Sequence, residues 1–436
     1  MASVVVIGGG VAGLGCAWRL RRAGHDVEVL EREAAPGGRM RREVHGDFVL
    51  DRGAQFITSG YHNLHAVARE LRLDDEVRPL RARQNAVLRD GRLEPGDYDA
   101  PLAFLRSRLL SGRAKIRLAR LLWELRRHRQ TLDPLRPERA AALDRGDMAQ
   151  YLARVVGEEA RDYLLAPAIR STFDCEIEDL SDAFLLLVLR FVSGGFRLQS
   201  FDGGVGRFTE ALAAEVPVRL GAEVTDVVTE SDGARVRYRV GDRERRVLAD
   251  AVVVAVPGSL VAGLCPKLTP AERGFFERVR YGRGTIAHLI LEEPPASLPW
   301  YGVAFPRPEG LDLYGLAVDH HKEGVAPEGA GLVNAALTEE TARRLWDAPD
   351  SEVIDCVVEN LARTPIGRLH PAQGVVHRWP EMLPQFRPGY LPALAAFLRR
   401  SDRSPRLAFA GDYLVGPYTE AALVSGLRAA AEILRE

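Results

Sequence analysis

A chain of 436 residues, 46% hydrophobic and 27% charged, is long enough for two or three domains with substantial cores. Its net charge of −1 removes any global electrostatic case for nucleic acid, and it has no run of 18 apolar residues to span a membrane. The cysteines, Cys16, Cys175, Cys265 and Cys356, are scattered without a C-x-x-C pair, so no metal site or disulfide framework is expected and a reducing cytoplasm fits. Arginine displaces lysine almost completely; only Lys115, Lys267 and Lys322 occur.

The chain begins with an apolar β-branched run, Val4 to Ile7, which reads as a buried parallel strand. Gly8, Gly10 and Gly13 then form G-x-G-x-x-G at a strand-to-helix turn, with Val11 and Ala12 opening the helix and Gly24 stopping it. Gly8 permits the tight turn, Gly10 lets backbone approach a pyrophosphate, and Gly13 allows close helix packing. The free N–H groups and dipole of the helix N-terminus suit phosphate. A second strand, Asp26 to Leu30, ends in Glu31, placed to accept ribose hydroxyls. Strand, glycines, helix, stop, strand and acid in this order predict a dinucleotide site.

The next stretch, Glu31-Arg32-Glu33-Ala34-Ala35-Pro36-Gly37-Gly38-Arg39-Met40, resembles the flavin-containing amine oxidase and protoporphyrinogen oxidase superfamily, as does Asp51-Arg52-Gly53-Ala54-Gln55-Phe56. The resemblance implies FAD. It places Arg32, Gly38, Arg39 and Met40 along the cofactor, with Arg39 near the pyrophosphate, and Gly53, Ala54, Gln55 and Phe56 beside the flavin.

From Arg106 to Arg129 the chain has nine Lys or Arg residues and one acid, Glu124, interleaved with leucines and Trp123. Residues 105–129 therefore read as a basic amphipathic helix. Three readings stay open: a solvated face, peripheral contact with an anionic membrane, or steering of an anionic substrate. Helical spacing follows at Met148 to Val156, Glu158 to Leu165 and Ser181 to Phe191. Leu164 to Ile169 with Leu180-Ser181 resembles a block of the protoporphyrinogen oxidase branch, but Arg170 to Phe173 lacks the glycine-containing turn often found there.

Asp202-Gly203-Gly204-Val205-Gly206 is a turn before a helix. Strands are expected at Val216 to Leu220 and Glu223 to Thr229, a hairpin at Arg235 to Leu248, and a buried strand at Asp250 to Val256 ending in Pro257. The resemblance puts backbone near Val224 at the adenine, and Val256-Pro257 beside the cofactor.

The strand Gly284 to Leu291 matches the one that carries a flavin-proximal lysine in many amine oxidases. It has none. His288 is the nearest polar substitute by strand alternation, against the alternative of a satisfied core histidine. The missing lysine favours the protoporphyrinogen oxidase-like branch, as does His377-Arg378-Trp379-Pro380 with Pro384-Gln385-Phe386 and Gly389-Tyr390. Finally, Leu407 to Ala410 reads as a strand, followed by Gly411-Asp412 and a helix from Thr419. In the family that aspartate meets a ribityl hydroxyl or phosphate, and the helix start (Thr419, Glu420, Ala421) points at the flavin pyrimidine.

The expected fold is α/β: a Rossmann-like, glutathione-reductase-like FAD-binding domain (residues 1–75, 197–285 and 397–436) with an interleaved α+β substrate domain (76–196 and 286–396). The expected activity is hydride transfer from a bulky, largely apolar small molecule to flavin N5, with O₂ or another acceptor reoxidising the cofactor. Phe173, Trp379, Phe386 and Tyr418 are expected in the substrate pocket; His288 and Tyr418 are the candidate catalytic residues. A porphyrinogen leads as substrate, with amines, polyenes or lipids as alternatives. A flavin-binding partner without turnover and a nicotinamide-dependent dehydrogenase are the rival classes.

Overall fold

The structure, a computed structural model, describes residues 2–96, 106–295 and 298–434. Its central element is a five-stranded parallel sheet in the order Val218–Arg219, β2 (Asp26–Leu30), β1 (Ser3–Ile7), Ala251–Val254, Leu407–Phe409. Three stretches of chain remote from one another thus meet in one sheet. Val4, Val5, Val6 and Ile7 pair with residues 251–254 on one side and 27–30 on the other. All four side chains are buried, as expected of a parallel strand covered on both faces.

Helix α1 (Val11–Arg22) covers one face and packs against the Thr419–Ile433 helix. Glycines set the closeness of that contact. A Cβ on Gly426 would lie 2.0 Å from the Ala12 carbonyl oxygen, and one on Gly15 would lie 2.5 Å from Leu423. The expected strand and hairpin after residue 222 form a three-stranded antiparallel sheet, Ala222–Thr229, Ala234–Val240 and Arg243–Ala249.

A second, seven-stranded sheet has the order Gln373–Trp379, Gly284–Leu291, Gly331–Leu337, Leu313–Ala317, Trp300–Ala304, Arg83–Arg89, Arg92–Pro95. The Gly284–Leu291 strand is buried throughout. Ala287, Leu289 and Leu291 pack with the Asp350–Ala362 helix. Ile290 instead meets Leu50, Val325 and Leu332 on the other face, toward the nucleotide half. By alternation His288 shares the Ile290 face.

The helical layer departs from expectation in two places. The basic stretch is two short helices, α2 (Gly112–Arg117) and α3 (Ala119–Arg127), divided at Leu118; residue 105 lies outside the described residues. The expected helix from Glu158 to Leu165 is one α-turn and then a π-turn, Arg161–Leu165, leading into α4 (Ala166–Phe173). Arg170 to Phe173 is the last turn of α4, stopped by Asp174 with φ 48° and ψ 45°. Asp tolerates that left-handed geometry better than most residues. Arg170 is buried there, pairs with Glu176 at 2.9 Å and lies 4.9 Å from the Tyr314 ring centroid, so α4 is pinned to the sheet by charge. Helix α5 (Asp182–Val192) follows. Among the described residues no helix is long and apolar enough to cross a membrane.

Candidate cofactor and substrate site

The turn after β1 separates the roles of its glycines. A Cβ on Gly8 (φ +104°) would lie 2.6 Å from the Ala255 carbonyl oxygen, and one on Gly13 would lie 2.0 Å from the Gly8 carbonyl oxygen. Both are packing glycines. At Gly10 nothing lies within 4 Å of the Cβ position. Gly10 also caps α1 without a side-chain acceptor, so the first-turn amides, with Val11 and Ala12, keep their donors for a ligand. This open, anion-seeking turn fits a pyrophosphate.

Glu31 is buried at the tip of β2. Its Oε2 accepts from Gly9 N–H at 2.6 Å and its Oε1 from Glu33 N–H at 2.8 Å. The Arg32 side chain turns outward and pairs with Glu33. The Gly37-Gly38 turn lies directly on the nucleotide turn: Gly37 N–H donates to the Gly9 carbonyl at 2.7 Å, and a Cβ on Gly38 would lie 3.3 Å from Gly10 Cα. Arg39 then reaches back across the site. Its Nη1 lies 2.9 Å from Asp412 Oδ2 and 2.8 Å from the Met382 carbonyl oxygen, and its guanidinium is 5.5 Å from the Tyr281 ring centroid. Met40 is buried behind it.

The next segment packs on Arg39. Ala54 N–H donates to the Arg39 carbonyl at 2.8 Å, and a Cβ on Gly53 would lie 2.4 Å from the same oxygen. Phe56 meets Tyr301 edge-on at 6.1 Å. From the far end of the chain, Gly411 donates to Ser425 Oγ, and Asp412 Oδ1 accepts from Tyr281 OH at 3.2 Å and Tyr413 N–H at 3.0 Å. Tyr281 OH in turn accepts from Gly258 N–H, just past Val256 and Pro257, which ties that corner to Asp412. Val224 stands at a bulge in its strand, half-buried.

The helix from Thr419 begins without a side-chain cap, and Ala421 is buried in its first turn. The Glu420 side chain faces away from that helix start: it accepts from Asn63 and Leu64 amides at 2.8 Å each, capping the helix His62–Glu70. What Glu420 can offer a cofactor is its backbone.

The expected pocket aromatics fall into two clusters and one outlier. Phe173 and Phe386 both contact Phe184, at 5.3 and 5.2 Å. Tyr418 stacks on Tyr61 at 6.0 Å and meets Phe191 at 6.1 Å. Phe184 and Phe191 lie two helical turns apart on α5, so one face of that helix joins the clusters. Trp379 lies apart from both, its indole N–H donating to the Arg52 carbonyl at 2.9 Å beside the cofactor segment. The Tyr418 hydroxyl donates to the Pro134 carbonyl at 2.7 Å, and burial holds the phenol well above its usual range. The ring face, rather than a proton, is what Tyr418 presents.

His288 is fully buried, with neither ring nitrogen hydrogen-bonded. Its ring stands edge-on to His377 at 5.2 Å, and Nδ1 is 3.9 Å from Asp319 Oδ2. Burial, then the neighbouring His377 and Lys322, hold it neutral, well below the usual histidine range. The sequence reasoning missed the group beside it. Lys322 Nζ lies 3.0 Å from Asp51 Oδ2 and 2.7 Å from Asp319 Oδ1, all three residues buried. Burial works against the ammonium, and the two carboxylates more than reverse that, holding it well above its ordinary range. One of only three lysines in an arginine-rich chain was the available signal.

The parallel sheet, its open glycine turn and the acid at the second strand tip have the form of a dinucleotide-binding site, closed from remote segments by the Arg39–Asp412 pair. The sequence profile of the flavin containing amine oxidoreductases matches residues 11–434, and the chain belongs to that family. It is 24% identical to a coproporphyrinogen III oxidase of Mycobacterium tuberculosis over 455 aligned positions, covering 99% of this chain and 97% of that one. Among solved structures it is similar to the cyclohexylamine oxidase of Brevibacterium oxydans (TM-score 0.78, 19% identity, 100% and 99% of the two chains). It is equally similar to wild-type putrescine oxidase bound to putrescine (TM-score 0.79, 20% identity, 100% and 99%). The protein is an FAD-dependent oxidoreductase with the expected α/β fold.

Proposed function

We propose that this enzyme oxidises a bulky reduced ring compound of the porphyrinogen class. The observation that carries the proposal is the Gly284–Leu291 strand, whose polar side chain on the Ile290 face is a neutral histidine with no bonded partner. Nothing there resembles the lysine of amine-oxidising relatives: His288 is uncharged, and neither ring nitrogen has a hydrogen-bonded partner through which to pass a proton. The aromatic face of α5 supports the same reading. Phe191 and Tyr418, both partly exposed, offer a flat aromatic surface at one end of α5, while Phe184 packs with Phe173 and Phe386 inside the core and anchors the other end; such a surface suits an extended ring system better than a small amine. The full-length match to a coproporphyrinogen III oxidase is a third support.

FAD, when bound, would supply the hydride acceptor, with O₂ or another acceptor as the final oxidant. The chain's task is position and electrostatics. In this reading the α1 turn and Glu31 would hold pyrophosphate and ribose, Arg39 and Asp412 would hold the phosphates and ribityl chain, and the uncapped Thr419 helix start would favour negative charge on the flavin. Residues 1–75, 197–285 and 397–436 form the cofactor half.

The test is an anaerobic reduction screen. The enzyme's flavin absorbance should bleach with coproporphyrinogen or protoporphyrinogen and stay unchanged with amines. Bleaching with amines alone overturns the substrate class. A flavin that bleaches with no porphyrinogen, amine, polyene or lipid would mark a binding protein without turnover.

A second observation bears on where the enzyme works. Leu121 and Leu125 pack inward, while Ile116, Leu122 and Trp123 are 76%, 60% and 55% exposed. Exposed Arg113, Arg120, Arg126 and Arg127 surround them, and Arg127 lies 5.0 Å from the Trp123 ring centroid. We infer that this face rests on an anionic bilayer, arginines on headgroups and the apolar side chains among acyl chains. Vesicles containing phosphatidylglycerol should sediment the protein at low salt, and phosphatidylcholine vesicles should not. Equal failure with both overturns it.

A further inference from the structure

The buried charges around Lys322 lie outside the nucleotide turn, yet several of their contacts converge on a single side chain, Gln55. Gln55 Oε1 accepts from Lys322 Nζ at 3.3 Å and from Asn334 Nδ2 at 3.0 Å. Gln55 Nε2 donates to the Asp51 carbonyl at 2.8 Å and to the Gly53 carbonyl at 3.1 Å. The Gln55 backbone carbonyl accepts from Tyr301 OH at 3.1 Å. Asn334 also donates to Asp319 Oδ2 at 2.6 Å, which holds the clamp itself in place. Asp51 belongs to the strand Phe48–Asp51 and is held from behind by Val205 and Gly206 amides at 3.3 and 3.4 Å.

Tyr301, Asp319, Lys322 and Asn334 all come from the seven-stranded sheet and its connections, whereas Asp51 and Gln55 come from the nucleotide half. Gly53 and Ala54 in turn pack on Arg39, which bonds Asp412. A continuous series of short contacts therefore runs from the substrate sheet to the cofactor cradle. All donors and acceptors of the Gln55 side chain are engaged, so this rotamer is over-determined, as positioned groups need to be.

We propose that Lys322 and Asn334 act through Gln55 as positioning residues that set the 53–56 segment against FAD, so that cofactor binding and the union of the two halves are one event. The proposal rests on the assignment of Gly53 to Phe56 to the cofactor site. The lysine missing from the Gly284–Leu291 strand is thus answered by one arriving from a different connection, held for architecture rather than for contact with substrate.

The test compares wild type with Lys322→Met, Lys322→Arg, Gln55→Leu and the double variant Asp319→Asn/Lys322→Met. FAD affinity, the visible flavin spectrum, amide hydrogen exchange and thermal unfolding are measured on each. In wild type, FAD should slow exchange at residues 53–56. Lys322→Met and Gln55→Leu should speed it, weaken FAD binding at least tenfold and perturb the flavin band; Lys322→Arg should restore most of the affinity. Gln55→Leu keeps both ion pairs, and the double variant removes one charge of each sign and leaves Asp51 its amide partners, so these two decide if Lys322→Met fails to fold. Folded variants with lowered melting temperature but wild-type FAD affinity and spectrum overturn the proposal. Unprotected 53–56 amides in wild type would instead remove the site assignment beneath it.

Discussion

Arg39 Nη1 lies 2.9 Å from Asp412 Oδ2, so a residue just after the second strand and one just before the last helix hold each other directly. The pair is largely buried, and Asp412 is further bonded by Tyr281 and the Tyr413 amide. Removing the cation would leave a buried carboxylate with neutral donors only. Arg39→Met should lower apoprotein stability by about 2–3 kcal/mol and weaken FAD binding by more than tenfold. Urea unfolding of the apoprotein and a flavin fluorescence titration check the two effects separately.

The glycines of the first turn should separate binding from folding. Gly10→Ala places a methyl in open space at an extended N-cap, so the apoprotein should unfold within ~0.5 kcal/mol of wild type while FAD affinity collapses. Gly13→Ala drives its Cβ into the Gly8 carbonyl and should cost the apoprotein about 2–3 kcal/mol. A Gly10→Ala variant with undiminished FAD binding would remove the pyrophosphate from this turn.

The contrast between those two glycines marks how far the chain can be read unaided. Strand, turn and helix signals around Gly8 to Glu31 are local, and the same residues that form the elements also form the candidate site. The Gln55 clamp is different. Its donors come from strands whose pairing is decided by distant partners, and no spacing in the chain announces that Asn334 and Lys322 converge on one amide. The break at Leu118 was equally silent, because its torsions stay near-helical (φ −59°, ψ −25°) while the apolar pattern runs straight through it. Glu420 shows a third limit. Its place in the first turn of a helix was legible, but its side chain serves a neighbouring helix. The helix that carries Phe184 and Phe191 was legible, yet only the packed structure says what those two rings touch.

Asp174 should make the protein less stable as pH rises. Burial pushes its carboxyl up to about 7, and Oδ1 has no partner. Between pH 4 and 7 the native state keeps a proton that the unfolded chain has already released, so stability falls across that window and levels above it. Asp174→Asn keeps the left-handed turn and removes the titration. It should match wild type at pH 4 and exceed it by roughly 2–4 kcal/mol at pH 8. Denaturant unfolding at a series of pH values measures this directly.

His288 should act in the opposite direction. Burial holds the native ring neutral, while the unfolded chain binds a proton below about pH 6.5. Stability contributed by the neutral ring is therefore lost as pH falls through that range. His288→Leu should flatten the acid limb between pH 6.5 and 5, and raise stability at pH 7 by about 1–2 kcal/mol by removing two unbonded ring nitrogens. The pH profile of flavin reduction should be the same in both proteins; a lost inflection would give His288 a part in the chemistry.

The parallel sheet places Leu407–Phe409 beside Ala251–Val254, and that strand beside β1, the first to be made. A ribosome thus presents the glycine turn long before Asp412 or the Thr419 helix exists. Early chain has the most recognisable half of the nucleotide site and nothing to close it, and contacts so distant in sequence form late. Acquisition of the yellow cofactor then reports that synthesis has passed Asp412: a polypeptide halted anywhere before it should be colourless, however native the residues around the glycine turn.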